Sequence, residues 1–275
     1  MFNFRIYKFM KIERMKYTKQ QIEEFGNYYL DNHSLKETSE HFNVNYHTLK
    51  QYLLKFGYRT TSKKLLNQRV KENSYFDKID THEKAYFLGY LFADGYISKT
   101  TYGTSIGIGL QLQDKYIIEQ LCKQLQIPER IHVYKNSAKL QYTDKHTYDN
   151  LVMLGICEDK SHKDFHLPNI PDELMNSFIL GYFDGDGCIT IKKTGYSVVS
   201  ICCNSKTFLE DIRKWLDDNK IQTRPIVLEK GSRKNNLYIL YLSGRENQLR
   251  FFNLMYKDSS IYLIRKYNKF MQIPR

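Results

Sequence analysis

With 275 residues and 41% hydrophobic side chains, the chain can hold one large domain or a few small ones, and it is too apolar for wholesale disorder. No apolar run nears the roughly 20 residues of a membrane span, and the opening MFNFRIYKFMKIERMK, aromatic and basic without a small-residue cleavage site, does not read as a signal peptide. The net charge of +12 suits a polyanionic partner as well as a plain lysine-rich soluble protein, and five cysteines without a C-x-x-C pair fit a reducing interior.

Residues 17–58 read as three helices. In YTKQQIEEFGNYYLDN the apolar positions Ile22, Phe25, Tyr29 and Leu30 share a face. Ser34 and Glu37 form an S-x-x-E capping box for SLKETSEHFNV, and Asn43 suits a left-handed turn. A third helix starts at about Tyr46 and turns Leu49, Tyr52 and Leu53 inward. Short helix, tight turn and helix fit a helix-turn-helix, with Asn45, Tyr46, His47 and Lys50 nearest the bases. A plain three-helix bundle has the same pattern. Residues 59–75 carry Arg59, Lys63, Lys64, Arg69 and Lys71 against Glu72, which suits a basic linker along phosphates or an ordinary solvated connector.

From residue 76 the chain repeats itself. FLGYLFADG at 87–95 returns as ILGYFDGDG at 179–187, a constant offset of 92. After the first copy, SIGIGLQLQ at 105–113 alternates, with Ile106, Ile108, Leu110 and Leu112 on one face of a strand. A helix over 115–127 follows, then a hairpin turning at Asn136-Ser137 and a short helix in HTYDNLVMLG. The second copy keeps the order through CITIKK, SVVSICC, TFLEDIRKWLDDNKI, RPIVLEK and LYILYLSG, with ENQLRFFNLMY as its last short helix. Each copy is therefore αββαββα, the first over 76–163 and the second over 164–275, joined by the proline-bearing segment 164–176. Cys157, His162 and His166 lack a fourth ligand at zinc spacing and read as part of this connection.

In each repeated phrase a small residue recurs after four positions, Gly89 to Ala93 and Gly181 to Gly185, so each helix carries a stripe that lets two backbones approach. Gly95 and Gly187 are natural C′ residues, which puts Asp94 and Asp186 in the last turns. A carboxylate there faces the negative end of the helix dipole, and two brought together also repel. Divalent cations reverse that sign: Asp94 and Asp186, with the end-of-helix carbonyls of Ala93 and Gly185, make a hard oxygen site suited to Mg²⁺ or Mn²⁺. Such ions activate a water and clamp the leaving oxygen of a phosphodiester.

FLGYLFADG and ILGYFDGDG resemble the two motifs of single-chain LAGLIDADG homing endonucleases over residues 76–275, and the helix-turn-helix before them resembles the arrangement of phage and bacterial members. The resemblance implies an α+β fold: a pseudo-two-fold pair of half-domains with antiparallel, saddle-like sheets over DNA, behind a small all-α domain. It implies that Asp94 and Asp186 bind the metal and cut both strands of a long, asymmetric double-stranded target. Phe92 departs from the motif, where an acid is usual, whereas Asp184 keeps it. A basic residue near the scissile phosphate is implied in each half, by position Lys160 and Lys266. Gln111, Gln113, Lys139 and Gln141 are expected to face the major groove. The family also implies a monomer, nucleoid-associated in the cytoplasm, without a membrane. Two other activities fit the same scaffold: a non-cleaving transcriptional regulator, which would be expected to lose a motif acid, and an intron RNA maturase.

Overall fold

The computed structural model describes residues 16–30, 35–56, 58, 72–100, 103–127, 131–229 and 236–274, which fall into two compact units divided after Asn67. The expected cap at Ser34, the linker over 59–71 and with it Lys63 and Lys64 lie outside the described residues.

The first unit holds α1 (Lys19–Leu30), α2 (Leu35–His41) and α3 (Tyr46–Lys55). Thr18 opens α1 with a reciprocal cap: its N–H donates to Gln21 Oε1 at 2.9 Å, and its Oγ1 accepts from Gln21 N at 3.2 Å. Ile22, Phe25, Leu49 and Leu53 are buried against one another, and Asn43 takes the expected left-handed turn at φ 48°. Asn45 is the N-cap of α3, its Oδ1 accepting from the N–H groups of His47 and Thr48 at 3.0 and 3.3 Å.

The second unit is mixed α and β. Its first copy runs α4 (His82–Asp94), β1 (Gly95–Thr100), β2 (Gly103–Gln111), α5 (Lys115–Gln124), β3 (His132–Tyr134), β4 (Ser137–Tyr142) and α6 (Lys145–Met153). Its second runs α7 (Asp172–Asp186), β5 (Gly187–Ile191), β6 (Ser197–Cys203), α8 (Lys206–Asp218), β7 (Val227–Glu229), β8 (Leu237–Tyr241) and α9 (Gly244–Tyr256). Two antiparallel sheets result, ordered β1-β2-β4-β3 and β5-β6-β8-β7, which is one topology used twice. The buried side chains of both sheets and of α4, α5, α7 and α8 form one continuous core. No helix among the described residues is long and apolar enough to cross a membrane.

Four expectations change. Strand β2 ends at Gln111, and residues 112–114 form a 3-10 turn in which Leu112 is exposed; its N–H donates to Asn136 O at 2.8 Å. Gln113 therefore leaves the sheet, and its Nε2 donates to Gln111 Oε1 at 2.7 Å. The hairpin turns one residue earlier than expected, at Lys135-Asn136, with Lys135 at φ 51°. Pro171 stands at the N-cap of α7, so the connector ends there and the motif helix is 15 residues long. Finally, an additional helix, α10 (Ile264–Met271), follows α9, and it brings Lys266 into the core.

Candidate active site

The functional geometry is built where α4 crosses α7. A Cβ on Gly89 would run into the carbonyl oxygen of Phe178, and one on Gly181 into the carbonyl oxygen of Tyr86. Tyr86 and Phe178 are themselves related by the offset of 92, so the two contacts are the same contact made in both directions. Nearer the helix ends a Cβ on Gly185 would strike the Cβ of Ala93 and lie 3.2 Å from Asp94 Oδ2. The small-residue stripe thus lets backbone meet backbone, and it delivers both motif aspartates to the same end of the crossing.

Each helix passes directly into a strand. Gly95 and Gly187 have φ −77° and −91°, extended rather than left-handed, so they are not C′ glycines of the expected kind. Glycine is needed there for space: a Cβ on Gly95 would lie 2.5 Å from Leu91 O, and one on Gly187 would enter the Phe183 side chain.

Two lysines close the helix ends. Lys160 Nζ donates to Leu91 O at 3.2 Å, to Phe92 O at 2.7 Å and to Ala93 O. Lys266 Nζ, on α10, donates to Phe183 O at 2.5 Å, Asp184 O at 2.7 Å and Gly187 O at 2.6 Å. An ammonium group among the last carbonyls satisfies orphan acceptors and offsets the negative end of the dipole. That is how the fold accepts acids at two helix C-termini. Burial pulls both lysines down to about 8, against the opposing charges of the nearby aspartates. Burial also holds Asp94 up at about 6, with the neighbouring Asp186 charge adding to it and Lys160, Lys266 and Arg265 pulling the other way. Asp186 is raised by burial as well, against Lys160, Lys266 and the Tyr182 hydroxyl.

Two clefts flank the crossing. One, of about 450 Å³, is lined by Tyr90, Asp94, Gly109, Gln111 and Gly185, among others. The other, of about 200 Å³, is lined by Tyr182, Asp186, Cys202, Asn204 and Ala93. The strand registers Gly95 to Ile108 and Gly187 to Ile201 make Gly109 the counterpart of Cys202, and Gln111 the counterpart of Asn204. The clefts therefore correspond residue by residue, each taking its aspartate from one helix and its small residue from the other. They are not equal. Cys202 fills the place that Gly109 leaves bare, and its Sγ donates to Asp186 O at 3.0 Å. The Asp94 cleft has in addition Lys139 and the pair Arg265 and Asp114, joined at 2.9 Å.

Among the residues expected from sequence, Asp94, Asp186, Lys160, Lys266, Ala93, Gly185, Gly89 and Gly181 lie at or beside the crossing. Ala93 O is occupied by Lys160, whereas Lys266 passes over Gly185 O, so the two carbonyls offered for a metal are inequivalent. Gln111 and Lys139 line the Asp94 cleft. Gln141 lies on the same sheet face, two residues beyond Lys139, its Nε2 donating to Ser105 Oγ at 2.9 Å. In the first unit Asn45 is committed to capping, Tyr46 and His47 are exposed on α3, and Lys50 is half-buried.

Sequence reasoning missed Asn204 and Cys202, which strand register alone reveals, and Arg265, which arrives on α10. It also missed a pair inside the crossing. Asp184 is fully buried; its Oδ2 accepts from Tyr86 OH at 2.8 Å and from Leu263 N at 2.7 Å, while Oδ1 has no partner among the described residues. The counterparts of Tyr86 and Asp184 under the offset of 92 are Phe178 and Phe92, whose rings meet edge-on at 5.1 Å. The crossing thus holds one polar pair and one aromatic pair at equivalent places, which explains Phe92: both partners are polar or both are apolar. Tyr86→Phe leaves Asp184 short of a donor, and it is expected to lower unfolding stability by about 1–3 kcal/mol in urea titrations. An unchanged midpoint would show the bond to be idle.

Comparison with known proteins places residues 173–255 in the family model described as a LAGLIDADG-like domain. A variant of the homing endonuclease I-DmoI is 18% identical, with 68% of this chain and 99% of that one aligned at a TM-score of 0.46. The I-LtrWI LAGLIDADG homing endonuclease bound to target DNA is 14% identical, over 74% and 90% of the two chains, at a TM-score of 0.47. A probable translation initiation factor IF-2 of Methanocaldococcus jannaschii is 25% identical over 206 residues, 69% of this chain. The matched stretch spans only 17% of that longer protein.

Proposed function

We propose, for a chain whose residues 173–255 are a LAGLIDADG-like domain, that it is a site-specific, divalent-metal-dependent endonuclease of double-stranded DNA. The observation that carries this reading is the pair of corresponding clefts, each with one aspartate at the end of a motif helix. Hydrolysis of two strands related by the dyad of a duplex calls for such a pair in one chain, so a monomer suffices.

The donor set fits a hard cation. Asp94 and Asp186 offer carboxylate oxygens, Gly185 O is left over by Lys266, and both clefts have room for waters. Mg²⁺ or Mn²⁺ held by Asp94 and Asp186 would supply an activated water and charge neutralisation at the phosphate. Lys160 and Lys266 hold the helix ends, and with them the aspartates, in position, and they keep positive charge close to where an anionic phosphate would come to rest. Gln111, Lys139 and Gln141 extend along the outward sheet face, where amide and ammonium groups meet base edges. In the first unit, Tyr46, His47 and Lys50 on α3 would enter the groove as the recognition residues of a helix-turn-helix. Retention of both motif acids, Asp94 and Asp186, favours cleavage over a regulatory role without it.

A plasmid carrying the gene's own flanks, joined as one uninterrupted sequence, tests the reading. Purified full-length protein is expected to linearise it in Mg²⁺ and to leave it supercoiled in EDTA. Protection of the same site without any cut in Mg²⁺ would replace the nuclease with a regulator.

A further inference from the structure

The duplication supplies an internal control on the outward face of the sheets. In β2 and β4 the core takes Ile106, Ile108, Leu110, Ala138 and Leu140, and in β6 and β8 it takes Val199, Ile201, Cys203 and Leu240. Residues between these point to the opposite face, and the registers match them one to one. Ser105 corresponds to Val198, Lys139 to Ile239, Gln141 to Tyr241, Ser137 to Leu237 and His132 to Val227. At each of these places the first sheet has a polar side chain, and the second has an aliphatic or aromatic one.

Folding does not account for the difference. Val198, Val227, Leu237 and Ile239 are absent from the hydrophobic core and from the side chains packed on it, and Val227 is 48% exposed. A scaffold that tolerates Ser, Lys and His at the equivalent places has no need of them. An outward apolar strip on a sheet marks a contact surface. This strip begins at the cleft, since Leu237 lines it beside Asp186 and Cys202. Its far end is rimmed by basic groups: Lys192 lies over the Tyr196 ring at 5.5 Å, and Arg224 Nη2 donates to Tyr196 OH at 3.4 Å. An apolar strip with a cationic rim, continuous with a phosphodiester-cleaving cleft, fits a duplex groove.

We infer that β5–β8 reads its half of the target through the C5-methyl groups of thymines, whereas β1–β4 reads the other half through hydrogen-bonding edges. The methyl of thymine is the one apolar group on the major-groove edge, so valine, leucine and isoleucine have no other base feature to recognise. The target is accordingly lopsided in chemistry as well as in sequence, with A·T pairs concentrated under β5–β8. The inference rests on the duplex-cleaving reading proposed above.

Replacing thymine by uracil removes the methyl and leaves every hydrogen-bonding group in place. Duplexes recovered from a randomised pool by the full chain in Ca²⁺ are synthesised with dU at each dT in turn, and affinity is measured. The half read by β1–β4 is identified as the one whose selectivity is lost in Lys139→Ala. In the other half each contacted methyl is expected to be worth about three- to fourfold in affinity, and Ile239→Ser should abolish that sensitivity at one position. In the Lys139 half, dU should leave affinity unchanged. Equal or absent dU effects in a duplex that is selected and bound would overturn this inference alone. So would a second copy of the chain on the strip, seen as a dimer lost in Ile239→Ser. Recovery of no duplex at all would overturn the endonuclease reading and this inference with it.

Discussion

Asp186→Asn is expected to bind its duplex as well as the parent chain does and to fail to linearise it, with a fall in rate of at least about 10²-fold, the usual scale for losing one group that stabilises transition-state charge. The substitution is nearly isosteric and removes one negative charge from the end of α7. That charge sits where burial already disfavours it, and Lys160, Lys266 and Tyr182 only partly compensate. Nothing in the packing of α7 depends on it, because the crossing is held by the glycine contacts, by Tyr86 with Asp184 and by the lysine caps. Thermal stability should therefore stay level or rise, the sign expected of a residue retained for chemistry at the expense of the fold. Duplex affinity should not fall, since an anionic side chain would leave the surface proposed to meet phosphates. Gel analysis of plasmid cleavage, thermal melting and duplex titration separate the three effects. Linearisation at the parental rate would remove Asp186 from the chemistry. Loss of activity together with a large loss of stability would assign it a structural role.

The parts of this site that sequence alone revealed are those written in short-range pattern. The period of four that places Gly89 with Ala93, and Gly181 with Gly185, is local, so the stripe and the aspartates at its end could be read directly. Alternation in SIGIGL fixed the inward face of β2 for the same reason. What escaped was set by distant chain. Helix α10 was not foreseen, and although Lys266 was named through the resemblance, its bonds to carbonyls of α7 some 80 residues earlier were not legible. Asn45 was legible as an N-cap, but its place at the start of the last helix in a helix-turn-helix pattern drew attention to bases instead. Gly95 and Gly187 were placed correctly for a different reason: the left-handed turn that glycine favours was expected, whereas close approach to Leu91 and Phe183 is what requires it. Strand β2 stops before the alternation does, since Asp114 is drawn inward by Arg265, and the turn that allows this takes Leu112 out of the core.

Gly181→Ala is expected to destabilise the second unit by about 3 kcal/mol or more, the upper range for overpacking a close contact. The same change at an exposed helical position stabilises by up to about 1 kcal/mol, because alanine is the better helix former. The sign reverses here because the new methyl would meet main chain. Around the added carbon lie Tyr86 O, Tyr86 C at 2.9 Å and Tyr90 N at 2.9 Å, none of which can rotate away as a side chain would. The only relief is to separate the helices, which loosens the aromatic packing on both sides and moves Asp94 and Asp186 apart. Gly89→Ala should behave alike, since its new methyl would meet Phe178 O, Phe178 C at 2.8 Å and Tyr182 N at 2.9 Å. Because either substitution already forces the helices apart, the double variant should lose clearly less than the sum of the two singles. Gly109→Ala, with nothing within 4 Å of the added carbon, serves as the comparison that should leave stability almost unchanged. Urea midpoints of the four variants decide the matter. Additive losses at Gly89 and Gly181 would mean that the two contacts yield independently, and a Gly181→Ala variant as stable as the parent would mean that the helices do not cross backbone to backbone.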